Sequence, residues 1–336
     1  MSGHAPGPET ATRPAAIEIV GLSKRFGRRQ AVEGVDLRVE PGEMVGLLGH
    51  NGAGKSTALG CLLGQCFADR GELRVFGHDV VSDRGRALRR VGAIFETPCF
   101  YGYLSGMQNL RAMVGLTGPV NRDRLDAVVE RVGLTERIHD RVDRYSHGMR
   151  QRLALAQALL PEPGVLILDE PGDGLDPAGI VEIREMVRAL HRELNLTVLL
   201  ASHQLIEVEQ LCDRVVVFDH GRKIFDGPWR GAAGFDRVVQ LDVDRPGAAL
   251  AHARAAGLVA SEAPSPPSLD VRRWNLAEGA APAALNRSLL DAGFEVREIA
   301  PVRPRLEDLY LNLRRRESAA APEAAASIPA PAAACP

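Results

Sequence analysis

A chain of 336 residues with 45% hydrophobic and 25% charged side chains has apolar surface for one large or two modest domains, in ordinary globular proportions. The formal net charge of -2 excludes the overall basic excess that neutralises nucleic-acid phosphates, so no nucleic acid is expected as a partner. Five cysteines, an odd number without C-x-x-C pairing, exclude a disulfide framework and fit small buried thiols. No run approaches the roughly 18 apolar residues of a membrane span, and residues 1–15 lack the apolar core of a signal peptide, so a membrane role is expected to come through a partner.

Residues 1–15 are rich in Pro, Gly, Ala and Thr without periodicity and are expected to be disordered. Alternating stretches at 17–20 and 31–39, with a turn at 40–43, predict antiparallel strands. Phe26, a single aromatic between them, is on its own expected to cap a small core. Met44-Val45-Gly46-Leu47-Leu48 then predicts a buried strand, followed by Gly49-His50-Asn51-Gly52-Ala53-Gly54-Lys55-Ser56-Thr57 and an apolar helical run. This is the G-x-x-x-x-G-K-[ST] spacing in its strand-loop-helix context, which predicts a nucleoside triphosphate site. Gly52 and Gly54 permit backbone angles that turn successive amides, from Asn51 through Ala53, onto a β-phosphate. The helix N-terminus adds partial positive charge, Lys55 reaches the β- and γ-phosphates, and Ser56, followed by Thr57, offers a hydroxyl to Mg²⁺. Lysine is otherwise confined to Lys24 and Lys223 in an arginine-biased chain, which argues against a chance match.

Beyond a strand at 71–77, Val91-Gly92-Ala93-Ile94-Phe95 predicts a buried strand ending at Glu96. Residues from about 97 to 160 are helical in pattern and polar, and are expected to form a helical insertion. Gly164-Val165-Leu166-Ile167-Leu168-Asp169-Glu170-Pro171 reads as a strand buried on both faces that delivers two carboxylates at its C-terminal end, where α/β sheets hold ligands. Asp169 is expected on Mg²⁺ and Glu170 on the attacking water. A helix at 180–194, a buried strand at 197–201 ending in Ser202-His203, and a further strand at 214–219 complete a first domain spanning 16–227. After a linker at 228–236, residues 237–313 give the order βαββαβ and a last helix at 305–313, which predicts a small α+β, ferredoxin-like layer. Residues 314–336 read as a disordered Ala/Pro tail.

Taken together, the residues from Ile17 to Gly227 resemble the ATP-binding cassette of an ABC transporter. The resemblance rests on order: Phe26, the phosphate loop, Glu96 at the position of the Q-loop, Tyr145-Ser146-His147-Gly148-Met149-Arg150-Gln151-Arg152 at the signature, Asp169-Glu170, Gly174-Leu175-Asp176-Pro177 at the D-loop, and His203 at the switch position. It implies an α/β P-loop NTPase core with an antiparallel β subdomain and a helical insertion. It also implies ATP and Mg²⁺ as cofactors, Phe26 on adenine, Ser56, Glu96 and Asp169 on the metal, and Glu170 and His203 at the reacting phosphate. A second cassette, in a homodimer or heterodimer, is implied because Ser146 and the backbone of Gly148 act on the partner's ATP and Asp176 couples the two sites. Glu96 in place of Gln, with His147 and Met149 in the signature, resembles exporters of the bacitracin, lantibiotic and anthracycline type. The resemblance therefore implies an ATPase subunit on the cytoplasmic face of the cell membrane, driving a separate permease. Phe100 and Tyr101 either pack in the helical core or face that permease. The alternatives are a cassette with a non-transport role, or one that binds ATP and signals with little hydrolysis.

Overall fold

The computed structural model describes residues 14–95, 98–117, 121–230, 232, 237–263, 271–302 and 305–320. The expected metal ligand Glu96 lies outside the described residues, as do 1–13 and 321–336. The chain divides into two compact units, 1–226 and 227–336.

In the first unit, β1 (Ile17–Phe26) and β2 (Arg29–Val39) form an antiparallel hairpin, and β3 (Met44–Leu48) leads through the phosphate loop into α1 (Lys55–Leu62). β4 (Arg70–Val75) and β5 (His78–Asp79) extend the hairpin into a four-stranded sheet of order β2-β1-β4-β5. α2 (Arg84–Leu88) and β6 (Val91–Ile94) follow. The helical insertion is α3 (Gly106–Thr117), α4 (Arg122–Arg131) and α5 (His147–Leu159). Asn121 starts α4 by accepting a hydrogen bond from the Arg124 amide at 2.8 Å, the usual work of an N-cap.

The chain then alternates through β7 (Val165–Asp169), α6 (Pro177–Leu194), β8 (Thr197–Ser202), α7 (Leu205–Leu211), β9 (Arg214–Asp219) and β10 (Arg222–Pro228). These complete a second sheet of order β10-β9-β3-β8-β7-β6, in which β6, β7, β8, β3 and β9 run parallel. Every residue of β7 and β8 is buried, as expected of parallel strands covered on both faces. Leu59 and Leu62 of α1 join Ile17 and Leu22 of the first sheet and Leu47, Ile167 and Phe218 of the second in one core, so the phosphate-loop helix is clamped between the two sheets.

Register decides where the chemistry falls. Leu48 pairs with Ser202, and Asp169 with Ala201. The phosphate loop, the two carboxylates and His203 therefore leave the sheet at one edge, the carboxyl ends of three adjacent strands.

The second unit runs β11 (Val238–Val243), α8 (Pro246–Ala255), β12 (Val259–Ala263), β13 (Arg272–Leu276), α9 (Pro282–Asp291), β14 (Val296–Pro301) and α10 (Leu306–Ala320). Its antiparallel sheet has the order β12-β13-β11-β14. Trp274 and Leu241 pack with Ala249 and Ala253 of α8 and Leu285 and Leu289 of α9. The small alanines let α8 lie close to the sheet.

Two expected boundaries are corrected. α6 begins at Pro177, because Asp176 caps it and proline is pre-organised for the first helical position. α10 runs on to Ala320 where a disordered tail from 314 was expected, since Arg, Glu and Ala are all good helix formers.

Candidate functional site

The phosphate loop is shaped by what leaves no room for side chains. Gly54 is the N-cap of α1 with φ 109°, and a Cβ there would meet the Ala31 carbonyl oxygen at 2.5 Å. Only glycine fits both limits. Lys55 is buried, its Nζ donates to the Gly49 carbonyl at 2.6 Å, and it lies 3.7 Å from Glu170 Oε1. Burial lowers the Lys55 pKa, and the charges of Glu170 and Asp169 oppose that fall.

Around this lysine is a cleft of about 580 Å³. Its wall brings together Phe26, Asn51, Gly52, Ala53, Gly54, Lys55, Ser56, Thr57 and Glu170, residues drawn from β1, the phosphate loop, α1 and the end of β7. Phe26 is 52% exposed, so it closes no core and presents a ring face at the mouth. Arg29 also lines the cleft, with its guanidinium donating to the Gly52 carbonyl at 3.4 Å. Sequence reasoning missed it, since nothing in a hairpin turn announces that it will fold over a loop 23 residues later.

Asp169, the last residue of β7, is 4% exposed, and Glu170 follows in the left-handed region at φ 49°. A non-glycine residue held there is strained, and its hydrogen bonds show what holds it. The Glu170 amide donates to the Ala201 carbonyl at 2.9 Å. Its carboxylate Oε2 accepts from the His203 amide at 3.2 Å and lies 2.8 Å from His203 Nδ1.

Behind them sits Glu207, a buried carboxyl in the first turn of α7 that the sequence reading passed over. Ser202 Oγ is 3.2 Å from Glu170 Oε2 and 3.1 Å from Glu207 Oε2, and it accepts from the Gln204 amide at 3.0 Å. One hydroxyl proton cannot serve two carboxylates. Ser202 can donate to only one of them at a time, so Glu170 and Glu207 compete for a single proton. Burial raises the Glu207 pKa, and the hydrogen bond from Ser202 opposes that rise. The available signal was an acid four residues after His203, at the start of a helix.

The remaining expected residues stand elsewhere. Ser146, Gly148 and Asp176 are absent from the described wall of the cleft. Ser146 caps α5 by accepting from the Met149 amide at 3.2 Å, and Asp176 caps α6 by accepting from the Gly179 amide at 2.9 Å. A Cβ built on Gly148 would find only Leu175 within 4 Å, at 3.8 Å, so this end of α5 is open. His147 has a structural part here: its Nε2 donates to the Asp173 carbonyl at 3.0 Å. Buried Gln151 donates to the Pro171 carbonyl at 2.7 Å, and the two bonds tie the start of α5 to the loop after β7. Of the two aromatics expected either in the helical core or facing a permease, Tyr101 is 50% exposed, which places it outside a core, and Phe100 is half-buried.

Comparison with known proteins follows the same outline. The family model described as ABC transporter matches residues 32–173. The daunorubicin resistance ATP-binding protein DrrA3 of Streptomyces coeruleorubidus is 37% identical over 311 residues, covering 89% of this chain and 95% of that protein. The bacitracin transport ATP-binding protein BcrA of Bacillus licheniformis is 38% identical over 213 residues, covering 63% of this chain and 70% of that protein. Among solved structures, cbiO1 from Clostridium perfringens, part of the ABC transporter complex cbiONQ, superposes with a TM-score of 0.59 at 28% identity, over 64% of this chain and 89% of that one. A phosphate-loop cleft faced by a strained carboxylate, in a fold and a sequence shared along nearly the whole length of such a relative, leads to one assignment: this chain belongs to the ATP-binding proteins of ABC transporters and is an ATPase.

Proposed function

We propose that the chain powers a separate membrane permease of an ABC exporter from the cytoplasmic face of the cell membrane, with a drug, antibiotic peptide or lipid-like molecule as cargo. The observation that carries this reading is a separation: the triphosphate cradle around Lys55 is in one place, and the open end of α5 at Ser146 and Gly148 lies outside its wall. One chain thus offers two half-sites, which suits two cassettes that enclose ATP between them. The cargo class is supported by relatives named for daunorubicin resistance and bacitracin transport. No helix among the described residues is long and apolar enough to cross a membrane, in keeping with a permease on another chain.

In this proposal Phe26 stacks on adenine, the amides from Asn51 to Thr57 and Lys55 hold the phosphates, and the partner's Ser146 and Gly148 amide meet the γ-phosphate at a helix N-terminus. Ser56 and Asp169 present a hydroxyl and a carboxylate, hard oxygen donors that suit Mg²⁺, and Glu96 is proposed as a third donor. The ion, when bound, offsets charge on the β- and γ-phosphate oxygens. Glu170 accepts a hydrogen bond from the attacking water, and the His203 amide and ring fix that carboxylate. His203 also reaches the γ-phosphate, and Asp176 links the two sites. Loss of the γ-phosphate removes the contacts that close the pair, which turns hydrolysis into movement.

The test is capture from membranes with tagged Glu170→Gln protein and Mg-ATP, together with phosphate release. The variant is expected to bind nucleotide, release almost no phosphate and co-purify with a polytopic membrane protein. Recovery of soluble partners or ribosomes alone would remove the transport reading, and phosphate release equal to the parent's would remove the role of Glu170.

A further inference from the structure

We propose that His50, Asp219 and His220 form a binding site for a divalent transition-metal ion of the zinc class, at the flank of the nucleotide cleft. Strand register builds it. β3 and β9 pair in parallel with Leu48 opposite Val217, so the residues two further on, His50 and Asp219, emerge side by side, and His220 follows in the turn to β10. One donor atom from each of the three lies within 4.8 Å of the others.

The His50 ring has a polar neighbour at both nitrogens. Its Nδ1 is 2.8 Å from the Asn51 carbonyl oxygen, which can only accept, so Nδ1 donates there and Nε2 is the ring nitrogen left to face a ligand. That Nε2 is 3.0 Å from Asp219 Oδ1. Both atoms are buried and neither makes a hydrogen bond. A ring nitrogen and a carboxylate oxygen this close, with no hydrogen bond between them, are placed to share a cation. A backbone carbonyl on the far nitrogen is also the outer contact that orients a ligating histidine.

A tetrahedral ion with bonds of about 2.0–2.1 Å sets its donors roughly 3.3 Å apart. His50 and Asp219 are already near that spacing. His220 is exposed and on a turn, so rotation of its side chain supplies the third ligand and leaves a fourth position for water. Two imidazoles and one carboxylate favour Zn²⁺, Cu²⁺ or Ni²⁺ over Mg²⁺. The site is therefore separate in chemistry from any Mg²⁺ carried by the nucleotide. His50 also lines the cleft, and the Gly221 amide donates to the Ala53 carbonyl at 2.9 Å. An ion here would add a second tie between the β9–β10 turn and the phosphate loop.

The experiment is titration of the full chain with Co²⁺ in the absence of nucleotide, followed by visible absorption and then by competition with Zn²⁺ or Mg²⁺. The expected result is one equivalent of bound Co²⁺ without a sulfur-to-cobalt charge-transfer band, displaced by Zn²⁺ and untouched by Mg²⁺. His220→Asn, which tolerates the observed φ of 44°, and Asp219→Asn are each expected to weaken binding at least about tenfold. Metal-free thermal melts of both variants confirm that they fold. Absence of saturable binding, a sulfur band from the cysteines, or parental affinity in both folded variants would each overturn the proposal.

Discussion

Two ionisable residues carry the sharpest consequences. Lys55 Nζ holds the Gly49 carbonyl and faces Glu170 inside the cleft, so Lys55→Ala removes a charge-assisted phosphate contact. The expected cost to ATP binding is about 1.5–3 kcal/mol. Titration with a fluorescent ATP analogue measures it, and an unchanged affinity would refute the role. Glu207 makes a prediction about pH. Its carboxyl, ordinarily near 4.5, is raised by burial, with the charge of Glu170 adding to the rise and Ser202, His203 and Arg184 opposing it. The folded chain therefore keeps a proton that the unfolded chain has lost, and stability falls as pH climbs from about 4.5 through the raised value. Glu207→Gln keeps the hydrogen bonding without the charge, so its melting temperature should decline less than the parent's between pH 4.5 and neutrality. Equal declines would assign the effect to another group. The phosphate loop was legible in the sequence because glycine angles and a neighbouring lysine are local requirements. Arg29 and Glu207 were not, since one matters through a turn folding over a distant loop and the other through the packing of a whole helix.

At the scale of elements, helix starts do two jobs. Ser146 and Asp176 were singled out for contacts across a cassette pair, yet within the chain each satisfies the open amides of its own helix. Substitution can separate the two jobs at Asp176. Asp176→Ala should lower stability by about 1 kcal/mol through loss of the cap, whereas Asp176→Asn, an equally good cap, should leave it unchanged. If the carboxylate also couples two sites, steady-state ATPase falls in both variants. Turnover that falls only as far as stability does would leave Asp176 a cap and nothing more. Element type was readable wherever burial is complete, as in β7 and β8, whose apolar composition is set by the two covered faces. Ends were less readable. The arginines and alanines after Leu313 looked like a solvated tail, while the same residues are strong helix formers once a buried turn at Leu306 and Leu309 has nucleated α10.

For the whole molecule, the parallel sheet collects its chemistry at one edge, but the α5 end lies outside the cleft that holds Lys55. Register explains the first fact, and composition alone could not reveal it: Leu48 against Ser202 and Asp169 against Ala201 are long-range pairings that alternation does not encode. The second fact bears on what an assay of the isolated chain measures. If Ser146 and Gly148 serve the nucleotide of another copy, specific activity is not a constant of the protein. In dilute solution the rate of phosphate release should grow with the square of chain concentration and become linear only once pairs predominate. A rate strictly linear from nanomolar to micromolar chain would mean that each copy turns over alone. On the quadratic outcome, dilution itself is an inhibitor, and the proposed permease partner would act first as a device for raising local concentration.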